Sequence, residues 1–466
     1  MMDVLRRIKH IFRVAFRPDD EQIDYERYGE NLSPNVRALR LAVTVADVLS
    51  SSGVPVSDAV GVSLDITDRY CQRRVQFDIS STTIMASQDR GDEREPLTMI
   101  RHAKPRTQNN MLIQSIQEMV RDIERGKLSL DEAEERLDTL MDHPKRYPYW
   151  LTTLGSALIS GGVGIMFGAT PIITVIMFLL GAGVSYILRV LGHYRMPSFF
   201  AQVISAIIIT LIAALVTLAG TQGVVIFQGV NPNLIVIGGI VMLAAGLAIV
   251  GAVQDAIDEY YVTANARLLR VIMMTAGIVA GVLIGLYISK QLGIYIAVSS
   301  DSPPLGRGDW QLIGAVIISA GYALSVQSRL ASIGVAGAAG GIAWWVYIIS
   351  VQYWSLSAIV ASGIAAMVVG FIGTMIARFW RTPSWSLIMA GIVPLVPGLT
   401  LYNALLQIVE GTAAGSTESG SAALLNALLI ALAIASGASF GIFIGRPMRR
   451  TLVRARNAIP RQQLHQ

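Results

Sequence analysis

The chain is poor in cysteine, histidine and charge, and each shortage removes a class of protein. Its 466 residues include one cysteine and five histidines, and Asp, Glu, Lys and Arg make up only 15%. An ordinary soluble domain is about 25% charged. The lone Cys71 can close no disulfide within the chain, so no disulfide scaffold supports it and nothing points to an oxidising compartment. Five scattered histidines and one thiol form no metal constellation. No glycine-rich phosphate loop with its lysine occurs, which removes ATP-driven pumping, and no Ser/His/Asp set has a recognisable spacing. No cofactor and no enzyme activity are expected. With 53% of its residues apolar, the chain is not a soluble globule.

What charge there is lies unevenly. Residues 1–150 hold 22 Lys/Arg and 25 Asp/Glu, whereas residues 151–466 hold 15 and 7. A polar part therefore precedes a membrane part. The net charge of +5 would fit nucleic acid, but the first part is net −3 and the surplus of the second lies in loops and the tail. A positive-inside bias accounts for that, and nucleic acid drops out.

Five segments follow: a basic N-terminal segment (1–33), a small α+β domain (34–146), two membrane halves of five spans each (147–290 and 291–446) and a basic tail (447–466). Asp3 to Arg17 reads as a basic amphipathic helix, with Leu5, Ile8, Phe12 and Ala15 on one face. Two readings stand for it, a helix lying on anionic lipid at the cytoplasmic surface and a solvated arm. It lacks the unbroken apolar run of a signal peptide. Helical spacing from Pro34 ends at Gly53, and a short helix follows from Ser57 to Tyr70. Alternation at Val75–Ile79 and Thr98–His102 predicts two strands around an acidic turn from Gln88 to Glu95. A helix from Met111 stops at Gly126, and Ser129-Leu-Asp-Glu132 is a capping box opening another to Met141.

After Lys145, Arg146 and the aromatic Tyr147, Tyr149 and Trp150, ten apolar spans are expected: 151–167, 171–189, 198–219, 234–254, 269–289, 310–327, 331–350, 356–377, 385–408 and 421–444. With the N-terminus inside, thirteen arginines from Arg189 to Arg461 fall on inward loops and tail, against only Lys290 and Arg307 outside. That asymmetry places both termini in the cytoplasm.

The most informative feature is an internal repeat. Gly239-Ile-Val-Met-Leu-Ala-Ala-Gly246-Leu247 aligns without gaps to Gly391-Ile-Val-Pro-Leu-Val-Pro-Gly398-Leu399, with six of nine positions identical. Each copy precedes a span with glycine at every fourth position: Gly277, Gly281 and Gly285, then Gly437, Gly441 and Gly445. Two copies of a five-span unit in one chain must cross the bilayer in opposite senses. The expected fold is an α-helical polytopic membrane protein of ten helices as a five-plus-five inverted repeat, an architecture typical of secondary transporters.

Chemistry is expected at Pro394-Leu-Val-Pro397-Gly398, inside an apolar span. Two prolines three apart remove backbone donors and clash with the preceding turn. A broken helix frees carbonyls and amides near the bilayer midplane, where transporters bind zwitterions and ions; the alternative is a kink that only shapes packing. Gly246 stands at the matching point of the other copy, and Thr400, Tyr402 and Asn403 are the nearest polar side chains. Of the acids Asp255, Asp258 and Glu259, the last two read as solvated loop, and Asp255, closest to the membrane, is the candidate proton site. Gln202, Ser205, Gln327 and Asn426 read mainly as residues that join helices; His193 reads as exposed.

The Leu49-to-Gly53 helix end, the Leu128-Ser-Leu-Asp-Glu-Ala133 segment, the Gly239–Asp255 stretch and the Pro394–Gly398 break resemble the threonine/serine exporter family over about residues 36–445. The resemblance implies export of threonine and serine by the proton motive force in a bacterial inner membrane, with a cytoplasmic domain before ten spans. Split two-chain relatives are associated with dicarboxylate export. Where the family pattern runs Leu-Pro-Gly and Asn-Ala-Ile-Arg-Asp, this chain has Ala244-Ala245-Gly246 and Gly251-Ala-Val-Gln254-Asp255, and the family's acid is absent after Phe167-Gly168-Ala169. The leading reading is a secondary exporter of small polar amino acids with protons, lipid and the amino acid as partners, a homo-oligomer being left open. A dicarboxylate exporter would need a buried arginine or oriented helix N-termini, and no arginine lies mid-span. A membrane-bound hydrolase or sensor using residues 36–142 is the reading from another class.

Overall fold

The computed structural model describes residues 33–458 except 72, 92–94, 104–105, 228–230, 244–245, 297–303, 380–383 and 415–417. The amphipathic segment 3–17 and the end of the basic tail lie outside the described residues.

The polar part folds as α1 (Pro34–Ser51), α2 (Val56–Tyr70), three antiparallel strands β1 (Val75–Ser80), β2 (Thr83–Gln88) and β3 (Leu97–His102), then α3 (Asn110–Glu124) and α4 (Leu130–Asp142). Its core gathers Leu39, Leu49, Ile66, Ile79, Ile84, Ile116, Met119 and Ile123, all fully buried. Gly53 and Gly126 take φ of +85° and +69° just past α1 and α3, the left-handed conformation that lets glycine end a helix. The capping box forms as expected: Glu132 N donates to Ser129 Oγ, and Ser129 N donates back to Glu132. The middle strand is additional to the two expected. Its buried positions are Ile84, Ala86 and Gln88, a weak apolar signal, and the turn at Ser81-Thr82 has neither Gly nor Asn. Ser81 supplies the positive φ of 59° instead.

The apolar part holds α5 (Tyr149–Met166), α6 (Pro171–His193), α7 (Ser198–Thr221), α8 (Pro232–Leu243), α9 (Gly246–Ile257), α10 (Tyr261–Gln291), α11 (Gly308–Ser325), α12 (Leu330–Gln352), α13 (Ala358–Phe379), α14 (Ser384–Ile392), α15 (Gly398–Ala414) and α16 (Glu418–Ala458). Six of these are each long and apolar enough to cross a bilayer: α6, α7, α10, α12, and residues 358–376 and 420–445 of α13 and α16. Two bent pairs, α8 with α9 and α14 with α15, raise the number to eight when each is taken as one span. The chain is a multi-pass membrane protein. Neither α5 nor α11, 18 residues each, is among the eight. Glycine and serine dilute both, and α11 carries Asp309 and Gln311 in its first turn.

These two helices lie against each other with backbones in contact. A Cβ added at Gly155 would stand 2.5 Å from Ser325 N, and one at Gly162 would stand 3.1 Å from the Gly314 carbonyl. At the other end Gly306 N donates to Met166 O (3.0 Å). Numbers that rise along α5 fall along α11, so the pair is antiparallel. The neighbours then recur: α5 packs on α6 and α8 as α11 packs on α12 and α14, and α10 lies along α7 as α16 lies along α13. The glycine ladders make the last two approaches, Gly281 meeting Val203 and Gly441 meeting Met367. At matching depth Thr210 and Thr374 are buried, and each donates its hydroxyl to the carbonyl four residues back (2.9 and 2.8 Å).

The α+β part caps one end of the bundle and touches both sets of helices. On one side Ser81 N donates to Thr263 Oγ1 (2.9 Å). On the other Asn110 N donates to Val326 O (2.9 Å), and the buried Asn110 side chain donates to Ser328 and Ser386. Gln327, in a left-handed turn with φ of 59°, accepts from Tyr147 N (3.3 Å) and so joins the two parts.

Candidate functional site

The broken helix forms where the prolines stand. α14 ends at Ile392, Val393–Leu395 make one 3₁₀ turn, and α15 starts at Gly398 with its axis bent 47° from the preceding helix. Pro394 and Pro397 have no N–H to give the carbonyls of residues 390 and 393. Val393 O is taken instead by Val396 N (3.2 Å), and Gly398 N turns to Val396 O (2.9 Å). In the other copy α8 ends at Leu243, and α9 starts at Gly246 with its axis turned by 43°. The Leu243 carbonyl, freed at that helix end, accepts from Gln202 Nε2 (3.4 Å). Gln202 thus joins two helices, as its sequence position implied.

The two breaks face each other. A Cβ on Gly246 would stand 3.1 Å from both Cα and N of Gly398, its mate in the repeat, and would run into Val396. Around this crossing lies a cavity of about 520 Å³. Its wall includes Gly246, Leu247 and Ala248 from the first turn of α9, and Gly398, Leu399 and Thr400 from the first turn of α15, with Pro394 and Pro397 between them. Two helix N-termini, each with a partial positive charge, therefore open on one space. Among the described residues that line it there is no charged side chain. The cavity runs from the breaks toward Phe167, Leu305 and Ala358, at the end of the bundle away from the α+β part.

Of the polar residues expected near the break, only Thr400 lines the cavity. Tyr402 and Asn403 are buried within the helix packing further along α15.

Comparison with known proteins shows the family. The family model described as "Putative threonine/serine exporter" matches residues 40–289, and one described as "Threonine/Serine exporter, ThrE" matches residues 311–444. The chain belongs to the threonine/serine exporter family. It is 31% identical over 420 residues to a "Probable threonine/serine exporter" of Mycobacterium tuberculosis, covering 89% of this chain and 77% of the relative. It is 30% identical over 416 residues to a "Threonine/serine exporter" of Corynebacterium glutamicum, covering 88% and 83%. No solved structure matches it.

In this member of the exporter family Asp255 sits apart from the cavity, in the last turns of α9 beside the α+β part. It is fully buried and ion-paired to Arg267 (Oδ2 to Nη1, 2.7 Å), and its Oδ1 accepts from Val56 N (3.1 Å), the first amide of α2. Arg267 also donates to Val54 O (3.2 Å). A carboxylate at a helix N-terminus, held by an arginine, is a favourable pairing that ties α2 to the bundle. Asp258 is half-buried and accepts from Ser57 Oγ (2.5 Å), while Glu259 is exposed, as is His193. Asn426 is exposed on α16, and Ser205 is fully buried on α7.

The sequence reading missed the aromatic wall of this exporter-family cavity. Trp344 and Tyr347 stack at 4.9 Å between ring centroids, and Trp344 Nε1 donates to Gln311 Oε1 (3.1 Å). Tyr322 and Ser325 line the cavity deeper in, and Tyr322 reaches Gln108 of the α+β part (3.5 Å). The available signal was an aromatic pair three apart in α12, whose other residues are mostly small or aliphatic.

Proposed function

We propose that this chain exports threonine and serine across a bacterial inner membrane, driven by the proton motive force, through ten spans arranged as two inverted halves. The meeting of the α9 and α15 N-termini in an uncharged cavity carries the reading. An amino acid is a zwitterion of zero net charge, so its site needs no fixed counter-charge in the membrane, where one would be costly. Its carboxylate suits paired helix N-termini, and its ammonium and hydroxyl suit carbonyls freed at a helix break and the Thr400 hydroxyl. Gly246, Pro394, Pro397, Gly398 and Thr400 bind substrate in this reading, with Tyr402 and Asn403 supporting them from the core of α15.

The antiparallel α5 and α11 and the recurring neighbours favour the inverted repeat, with those two helices completing the ten spans. The α+β part sits beside Arg267, in the second turn of α10, and Arg329, in the α11–α12 loop, and this basic side favours reading it as the cytoplasmic domain. Asp255 is the proton site. Protonation would remove the charge that holds Arg267 and the first amide of α2, so proton uptake would loosen the cytoplasmic domain from the bundle.

Counterflow in proteoliposomes tests this. Vesicles preloaded with threonine, serine, succinate or nothing are given each labelled compound, with wild type, Pro397→Ala and Asp255→Asn compared. Threonine and serine exchange, lost in Pro397→Ala, is the expected result. Asp255→Asn should retain exchange and lose its response to a pH gradient. Succinate exchange alone would overturn the amino-acid assignment.

A further inference from the structure

A second cavity, of about 1060 Å³, lies where the α+β part meets the bundle and is separate from the one at the breaks. Asp58 and Asp65 of α2 line one side and Asp258 another. Asp258 is set in place by the hydroxyl of Ser57 (2.5 Å). Beside these acids stands Gln254, only 6% exposed, whose Oε1 has no hydrogen-bond partner among the described residues. Ser439 Oγ, buried on the α16 side of the same space, likewise has none. Among the described residues that line it there is no Lys or Arg. A buried amide oxygen without a donor is expensive to leave so, and an ammonium brings three donors and no acceptor. Trp385 of α14 supplies an aromatic face to the same space.

We propose that this cavity is a second binding station, one that takes the primary ammonium group of the amino acid as it passes between the α+β part and the bundle. Gln254 Oε1 and the carboxylates of Asp58, Asp65 and Asp258 receive it. The station rests on the amino-acid reading above for its ligand, but amine binding can be measured without transport.

The test is calorimetric titration of the full chain in phosphatidylcholine nanodiscs with threonine, with 1-aminopropan-2-ol, which keeps the ammonium and lacks the carboxylate, and with 3-hydroxybutyrate, which lacks the amine. Wild type should bind the amino alcohol at a site for which the hydroxy acid does not compete. Gln254→Met and Asp58→Asn should each weaken amine binding by about tenfold, the loss of one charge-assisted hydrogen bond. Asp58 lies on α2, outside the bundle, so its replacement keeps the test informative if Gln254→Met disturbs α9. Absence of amine binding, or equal affinity in Gln254→Met and Asp58→Asn, would overturn the station even if threonine exchange is seen. Amine binding that depends on Gln254 and Asp58 in a chain that exchanges no amino acid would leave the station standing and remove the export reading.

Discussion

Replacing Arg267 by methionine would strand a buried carboxylate. Asp255 is fully enclosed and the Arg267 side chain is 21% exposed, their charged atoms 2.7 Å apart. Two unit charges about 4 Å apart between centres attract by about 4 kcal/mol at an effective dielectric constant near 20. Partial access of water to the guanidinium trims this, and breaking such a pair from the arginine side should cost about 2–3 kcal/mol. Asp255→Asn should cost less, about 1 kcal/mol, because the amide oxygen still accepts from Val56 N and Arg267 keeps its bond to Val54 O. With both changes together no unpaired charge remains, and stability should return to within about 1 kcal/mol of wild type. The purified chain in detergent, heated while tryptophan fluorescence is followed, should show the Arg267→Met midpoint lowered by roughly 2–3 °C. The double variant should lie above that single variant. Protease cutting between α4 and α5 should accelerate in the same order, since the pair holds α2 to the bundle. If Arg267→Met is no worse than Asp255→Asn, or the two effects simply add, the pair is not the tie described.

Helix contact makes a paired prediction. Gly155→Ala places a Cβ against α11 backbone and should destabilise by about 1–3 kcal/mol, whereas Gly183→Ala meets no atom within 4 Å and should be neutral or gain about 0.5 kcal/mol; thermal midpoints compare them. Asp65 is half-buried beside Glu124, and burial first, then that neighbour, push its carboxyl from 3.8 up to about 6. The folded chain thus keeps this proton up to about pH 6 while the unfolded chain releases it near pH 4, so stability falls as pH rises through that window. Asp65→Asn should flatten the slope and, discounted for solvent exposure, stabilise at pH 7.5 by on the order of 1 kcal/mol, as read from unfolding midpoints across pH 4 to 8. Asn110→Ala removes the donor to Ser328 and Ser386 and should weaken docking of the α+β part by about 1–3 kcal/mol, seen as faster proteolysis of the connection to α5.

Much of the architecture is carried by local pattern. Helix ends at Gly53 and Gly126, the capping box at Ser129 and the break at Pro394–Pro397 follow from backbone chemistry that one or two residues decide, so they are legible in the chain alone. Long apolar runs announce membrane helices because lipid leaves little room for other residues. The repeat pointed to Gly246 as the counterpart of Gly398 by alignment alone.

Tertiary structure decided the rest. No local pattern shows that Gly246 and Gly398 touch across the bundle, or that aromatic side chains of α12 wall the space beside them; both depend on how distant helices cross. β2 was hidden because its buried face is an isoleucine, an alanine and a glutamine, which only packing distinguishes from loop. The role of Asp255 shows the difference most clearly. Sequence position set an acid at the end of a span, a place that fits proton transfer and solvation equally. Its burial on Arg267 and the first amide of α2, 199 residues away in the chain, exists only because the fold brings those groups together.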